Sequence, residues 1–451
     1  MVDIYGRFSY SAAANLVIQS FIFQYMQVSY NLKYRKSNFS NKILIEKEGE
    51  VIIYDKGFRL KGKGAQDKGE FINYSDIKEF YYRGDRLLFI TFAKAKYTLS
   101  GAGALFDEFL STIYKTRNDF LVEALFMKQG RLKAEYDCNF ERFSKFSKPI
   151  NKGKAKIRLY EGSIVLIPEN QDAFGLNFNF VNFHEFDEME YMLKVTMDDG
   201  SRVEVSQLGN DFEMFEETVN ELLGGMYETL VNTDLKRVFY EFDAGTLLKL
   251  AYKIRAGKSV AFKDVEKIDK ELADRMMGVF FDDESAREKF SLFDEMTDEY
   301  SRYFGIAKDP IVKEGYLRWV MYAVPEYNIV AFSILPRYNP DLREDEKPEV
   351  AKQPLHDTYF FKIIMEKGLP SEKVGDKVLE IEQTLVNLHF AKDPCYKDKR
   401  ELRNSPYKYA IRKLPFLRIL RKSYCGRAAS DDVATWKKQA KETMEKSKLK
   451  S

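Results

Sequence analysis

The chain has 451 residues, 15% of them aromatic and 31% charged, with a formal net charge of +2. That composition argues against disorder and leaves room for about three domains, each with its own core. The three cysteines, Cys138, Cys395 and Cys425, are far apart and have no Cys-x-x-Cys spacing, which argues against a disulfide framework or a zinc site and fits a reducing, cytoplasmic compartment.

A charge-free run extends from Phe8 to Leu32 but is broken by Asn15, Gln19, Gln24 and Gln27, short of the apolar stretch that a spanning helix needs. Residues 11–23 suit a short helix, and the alternation of Met26, Val28, Tyr30, Leu32 and Tyr34 with polar residues predicts a half-buried strand. Residues 1–39 are therefore expected to form a segment that packs onto the body.

From Lys42 the pattern is strand throughout: I-L-I-E, a turn at E-G-E, V-I-I-Y, a turn at D-K-G, F-R-L-K, then E-F-I-N-Y, I-K-E-F-Y-Y, R-L-L-F-I-T-F and K-Y-T-L-S. Leu105, Phe106, Phe109, Leu110 and Ile113 follow at helical spacing. The stretch Ile72–Phe80, I-N-Y-S-D-I-K-E-F, recurs 106 residues later as Phe178–Phe186, F-N-F-V-N-F-H-E-F. With no gap, Leu60 falls on Leu166, Tyr74 on Phe180, and Ser100-x-x-Gly103-x-x-Phe106 on Ser206-x-x-Gly209-x-x-Phe212. A register shared by strand-like and helix-like segments marks an internal duplication.

Short strands closed by one amphipathic helix, with a central aromatic strand pair and a helix opened by Gly-x-x-Phe-[Asp/Glu]-x-Phe, resemble the pleckstrin-homology-like superfold, closest to bacterial PH and GRAM-type domains. The resemblance spans 40–131 and 150–232. It implies binding of lipid headgroups, peptides or proteins without choosing among them. It also implies that peptides add at exposed edge strands or in the groove between the last strand and the closing helix.

Residues 233–310 read as helices. Residues 311–395 read as an α+β module, with a turn at Glu326-Tyr327-Asn328, and are a candidate for a diverged third copy. The expected fold is thus α+β: two tandem PH-like β-barrels, each capped by a C-terminal helix, then a helical region and an α+β module. Residues 396–451 form a basic tail, with seventeen Lys and Arg against six Asp and Glu.

Two cationic surfaces stand out. Lys56, Arg59, Lys61, Lys63 and Lys68 lie on the hairpin expected to open the first barrel, and the aligned stretch of the second copy has no Lys or Arg. In the resembling superfold such a hairpin presents cations to phosphates. In the tail, Arg412, Lys413, Arg418, Arg421 and Lys422 interleave with apolar residues, which suits a protein contact, the chain's own acidic region included, or an anionic membrane. Few aromatic platforms accompany them, which disfavours nucleic acid.

The three histidines, His184, His356 and His389, are scattered; His184 aligns with Lys78 and reads as a surface histidine rather than a metal ligand. Ala256-Gly257-Lys258-Ser259 lacks the upstream glycine and preceding strand of a phosphate-binding loop. No catalytic, metal or cofactor residues are assigned and no cofactor is expected. The sequence points to a non-enzymatic cytoplasmic adaptor or scaffold that binds protein partners. The alternative is a peripheral protein at the inner face of the membrane, holding anionic lipid through the first barrel and the tail.

Overall fold

The computed structural model describes residues 28–64, 66–255, 257–282, 284–297, 301–309, 315–341, 357–363, 378, 381–382, 399–404, 407–414 and 422–448. They fall in two compact units. One comprises the chain up to Ala124 with 153–157 and 165–174, and the other comprises the remainder. The fold is α+β with three antiparallel sheets.

The first sheet contains β1 (Val28–Ser37), β2 (Ile43–Tyr54), β3 (Gly57–Gly62), β4 (Glu70–Asn73), β5 (Ile77–Arg83), β6 (Arg86–Thr91) and β7 (Lys96–Ser100), in the order β4-β3-β2-β1-β7-β6-β5. The strand expected near residues 26–34 is β1, and it lies between β2 and β7, so the 1–39 segment supplies a strand to this sheet. Its period of two buries Tyr30, Leu32 and Tyr34. Helix α1 (Phe106–Ala124) contributes Phe109, Leu110, Ile113 and Tyr114 to the same core, with Tyr30 and Phe109 edge to face at 5.3 Å. The turn expected at Glu48-Gly49-Glu50 is absent because β2 runs through it. Glu46, Glu48 and Glu50 sit on one face, where they pair with Lys33 and Arg35 of β1, Lys61 of β3 and Lys63 just after β3.

The second sheet repeats the first. Strands β8 (Leu132–Phe143), β9 (Pro149–Tyr160), β10 (Ser163–Pro168), β11 (Phe174–Asn177), β12 (Val181–Asp187), β13 (Met192–Met197) and β14 (Arg202–Ser206) run in the order β11-β10-β9-β8-β14-β13-β12, followed by α2 (Phe212–Thr229). Gly103 and Gly209, with φ of +58° and +59°, open the short turn before each helix.

The gapless register, however, fails at the stretch that revealed the repeat. Strands β2, β3, β6 and β7 map onto β9, β10, β13 and β14 at 106 residues, but β4, the following helical turn and β5 map onto β11, Phe178–Phe180 and β12 at 104. Hydrogen bonding fixes this. Tyr74 N donates to Lys56 O as Phe178 N donates to Gly162 O, and both edge strands carry a bulge at the same place, Ile77/Glu79 and Val181/Phe183. Tyr74 therefore corresponds to Phe178 rather than Phe180, and His184 to Phe80 rather than Lys78. Two residues lost before β11 are regained in the turn after β12.

The third sheet runs in sequential order from β15 (Val260–Ala261) through β16 (Arg302–Lys308), β17 (Tyr316–Val324), β18 (Ile329–Ile334) and β19 (Thr358–Lys362) to β20 (Tyr424–Ala428). Among the described residues this is not the order of the first two. The stretch expected to be helical ends in strand β16. The turn at 326–328 is present, with Asn328 left-handed at φ +52°. All nine residues of β17 are buried, because apolar cores cover both faces of the sheet. One core includes α3 (Ala244–Ile254), α4 (Phe262–Ile268), α5 (Lys270–Phe280) and α6 (Glu284–Asp294). It also takes in residues of the expected basic tail. Strand β20 completes the sheet, and the last described helix (Val433–Lys448) buries Trp436, Ala440 and Met444.

Candidate functional site

The cationic hairpin proves to be β3 with its flanking turns, not the opening β1–β2 hairpin. Lys61 lies 3.8 Å from Glu50 and Lys63 2.9 Å from Glu48, which also takes Lys33 at 3.0 Å. Lys56, Arg59 and Lys68 are exposed and form no ion pair among the described residues. The surface is thus a ladder of alternating charge. The signal was available in sequence, since Glu46, Glu48 and Glu50 share the period of Lys61 and Lys63, but reading E-G-E as a turn hid it. In the tail, Arg412 and Lys422 are exposed and Lys413 half-buried, whereas Arg418 and Arg421 lie outside the described residues.

The β1–β2 hairpins carry a feature that the sequence reading missed. In the first repeat Phe39 is 69% exposed at the tip, beside exposed Ile43 and Leu44, and Lys94 and Lys96 lie 5.5 and 5.7 Å over its ring. In the second repeat Phe146 is 73% exposed beside Ile150, with Lys145 5.3 Å over the ring.

Because β7 and β14 lie inside their sheets, neither can accept an added strand. The free edge facing a closing helix is β5 in the first repeat and β12 in the second. Beside β5 the groove is filled by residues 168–173. Arg117 of α1, fully buried, grips Asp172 through Nε (2.8 Å) and Nη2 (3.0 Å) and stacks 4.6 Å over Phe80. Asn118 Nδ2 donates to Pro168 O and Gln171 O, both at 3.0 Å, and its Oδ1 accepts from Ala173 N at 2.9 Å. Asn170 Nδ2 donates to the Tyr82 hydroxyl at 3.0 Å.

At the corresponding positions the second repeat has His184 for Phe80, Asn220 for Tyr114, Leu223 for Arg117 and Gly224 for Asn118. Asn220 and Gly224 are exposed, and His184 Nε2 lies 3.4 Å from Asn220 Oδ1. Glu217, Glu221 and Glu228 lie on the same exposed helix face, and α2 contains no Lys or Arg. Phe183, on edge strand β12, is 57% exposed. Among the described residues the only formal charges on this exposed face of α2 are carboxylates, and β12 is an edge strand.

The Gly257-Lys258-Ser259 run binds its own chain rather than a phosphate. Lys258 Nζ and Arg255 Nη1 both donate to Asp198, at 2.7 and 2.9 Å, and Ser259 N donates to Glu382 at 2.6 Å. No group of three or more metal-ligating side chains occurs among the described residues, and no described helix is long and apolar enough to cross a membrane. Burial pushes the Cys138 thiol up to about 12. No protein-family model matches the chain, and neither does any curated protein sequence.

Proposed function

We propose that this protein is a non-enzymatic adaptor built on two pleckstrin-homology-like repeats, whose second repeat takes a basic, extended segment of a protein partner between β12 and α2. The strand order and closing helix of each repeat support the PH-like reading. The binding reading rests on one contrast. The first repeat's groove already holds a chain segment through Arg117 and Asn118, whereas the corresponding Asn220 and Gly224 of the second repeat are exposed and share their helix face with Glu217, Glu221 and Glu228. An unpaired edge supplies backbone hydrogen bonds to an added strand, and the glutamates select a cationic one.

A labelled peptide with the sequence of residues 411–424, basic and apolar, is a suitable probe for the full-length protein. Its fluorescence anisotropy is expected to saturate at low salt, and Glu217→Lys with Glu221→Lys to weaken binding at least about tenfold. Amide exchange of β12 is expected to slow in the complex. Binding that ignores the charge reversal, or no saturable binding, overturns the proposal.

A second reading, a peripheral membrane protein, is favoured by the exposed aromatic tips with their lysines. It predicts that full-length protein floats with phosphatidylserine vesicles, and that Phe39→Ser with Leu44→Ser abolishes flotation while Lys61→Glu does not. Absence of flotation at low salt removes it.

A further inference from the structure

A buried carboxyl group, that of Glu382, is hydrogen-bonded to Trp319 of the third sheet. Glu382 is 1% exposed. Its Oε1 accepts from Trp319 Nε1 at 3.0 Å and from Ser259 N at 2.6 Å, while Oε2 is buried with no hydrogen-bond partner among the described residues. Lys258 acts on it electrostatically, but its ammonium is committed to Asp198, as is the Arg255 guanidinium. Arg318, the residue before Trp319, faces away and bonds Asp282 and Pro336 O. Among the described residues an ionised Glu382 is thus held by two neutral donors and paired with no cation, an arrangement that penalises charge in a low-dielectric interior. Val378 and Ile381 pack in the same core as Trp319, so Glu382 lies where this stretch joins the sheet.

We propose that Glu382 is a proton-operated latch, which when neutral seals residues 378, 381 and 382 against β17 and when ionised loosens that contact. Burial raises its carboxyl from the ordinary range to about 7, with the Trp319 and Ser259 bonds opposing the rise. A carboxyl raised on folding stabilises the contact fully at pH below its unfolded value, and that contribution is lost as pH rises through the folded value. The latch is therefore closed in mildly acidic solution and weakened in mildly alkaline solution, within reach of physiological change.

Trp319 and Trp436 are the only tryptophans, so Trp436→Phe in the full chain makes Trp319 the sole reporter. Its emission, followed from about pH 5.5 to about 8.5, is expected to titrate with a midpoint near 7. In the Glu382→Gln, Trp436→Phe protein the transition is expected to vanish, because the amide keeps the acceptor for Trp319 and cannot ionise. A flat signal with Glu382 present, or an unchanged midpoint with Gln, overturns the proposal. The unsubstituted protein gives a second reading: exchange of the Ser259 amide, corrected for intrinsic pH dependence, is expected to quicken several-fold across the same interval. Constant protection there also rejects the latch.

Discussion

Replacing Gly305 by Ala is expected to destabilise the third sheet by about 3 kcal/mol, at the upper end of overpacking costs. Gly305 on β16 is directly opposite Trp319 on β17, and the indole lies over the space where a side chain would be. A Cβ at Gly305 would sit 2.1 Å from Cε2, 2.3 Å from Nε1 and 2.4 Å from Cζ2 of that ring. The indole has little freedom to move, since it is fully buried among Met321, Phe332 and Ile334 and tethered to Glu382. Both tryptophans lie in the cores of this sheet, so the urea midpoint of their emission reads its stability. Trp319→Phe, which removes the atoms that clash, is expected to recover part of the loss when combined with Gly305→Ala. An unchanged midpoint for Gly305→Ala alone would mean that the indole does not lie over the glycine.

The strands of both repeats were legible because each buries one face, so residues such as Val51, Ile53 and Leu60 recur at period two and are bounded by turn residues. The duplication was legible for the same reason. Its exact register was not, because a two-residue shift keeps side chains on their own faces everywhere except at the bulge between Ile77 and Glu79. Aromatics therefore matched aromatics at 104 or 106, and only the hydrogen bonds of the adjoining strands distinguish them. That slip had a consequence for function. It placed His184 opposite Lys78, on the outer face, and so concealed that the second repeat's groove carries histidine where the first carries Phe80. The third sheet was legible only as apolar runs, because a strand buried on both faces loses the alternation that marks a strand. The basic tail misled for another reason: its charge count is real, but Trp436, Ala440 and Met444 recur at the four-residue spacing of one helix face and take that helix into the core. Arg117 was invisible as a site residue. Nothing about an arginine in an amphipathic helix tells of a partner 55 residues on.

That same arginine carries the second large effect. Asp172→Ala is expected to cost about 3 kcal/mol, since it leaves a guanidinium buried without its carboxylate. Much of that loss is the penalty of the orphaned charge rather than the net value of the pair, because Asp172 keeps 29% of its side chain exposed and pays less to be buried. The two contributions separate in a double-mutant cycle. Arg117→Met combined with Asp172→Ala removes both charges and preserves apolar contact with Phe80, so it is expected to recover most of the loss, with a coupling to the two single substitutions of at least about 1.5 kcal/mol. Chemical denaturation of the full-length variants, with the m-value checked for constancy, is the measurement. If Asp172→Ala falls within about 0.5 kcal/mol of the unsubstituted protein, residues 168–173 are not held by this pair. The occupied groove would then lose its standing as the precedent for binding beside β12.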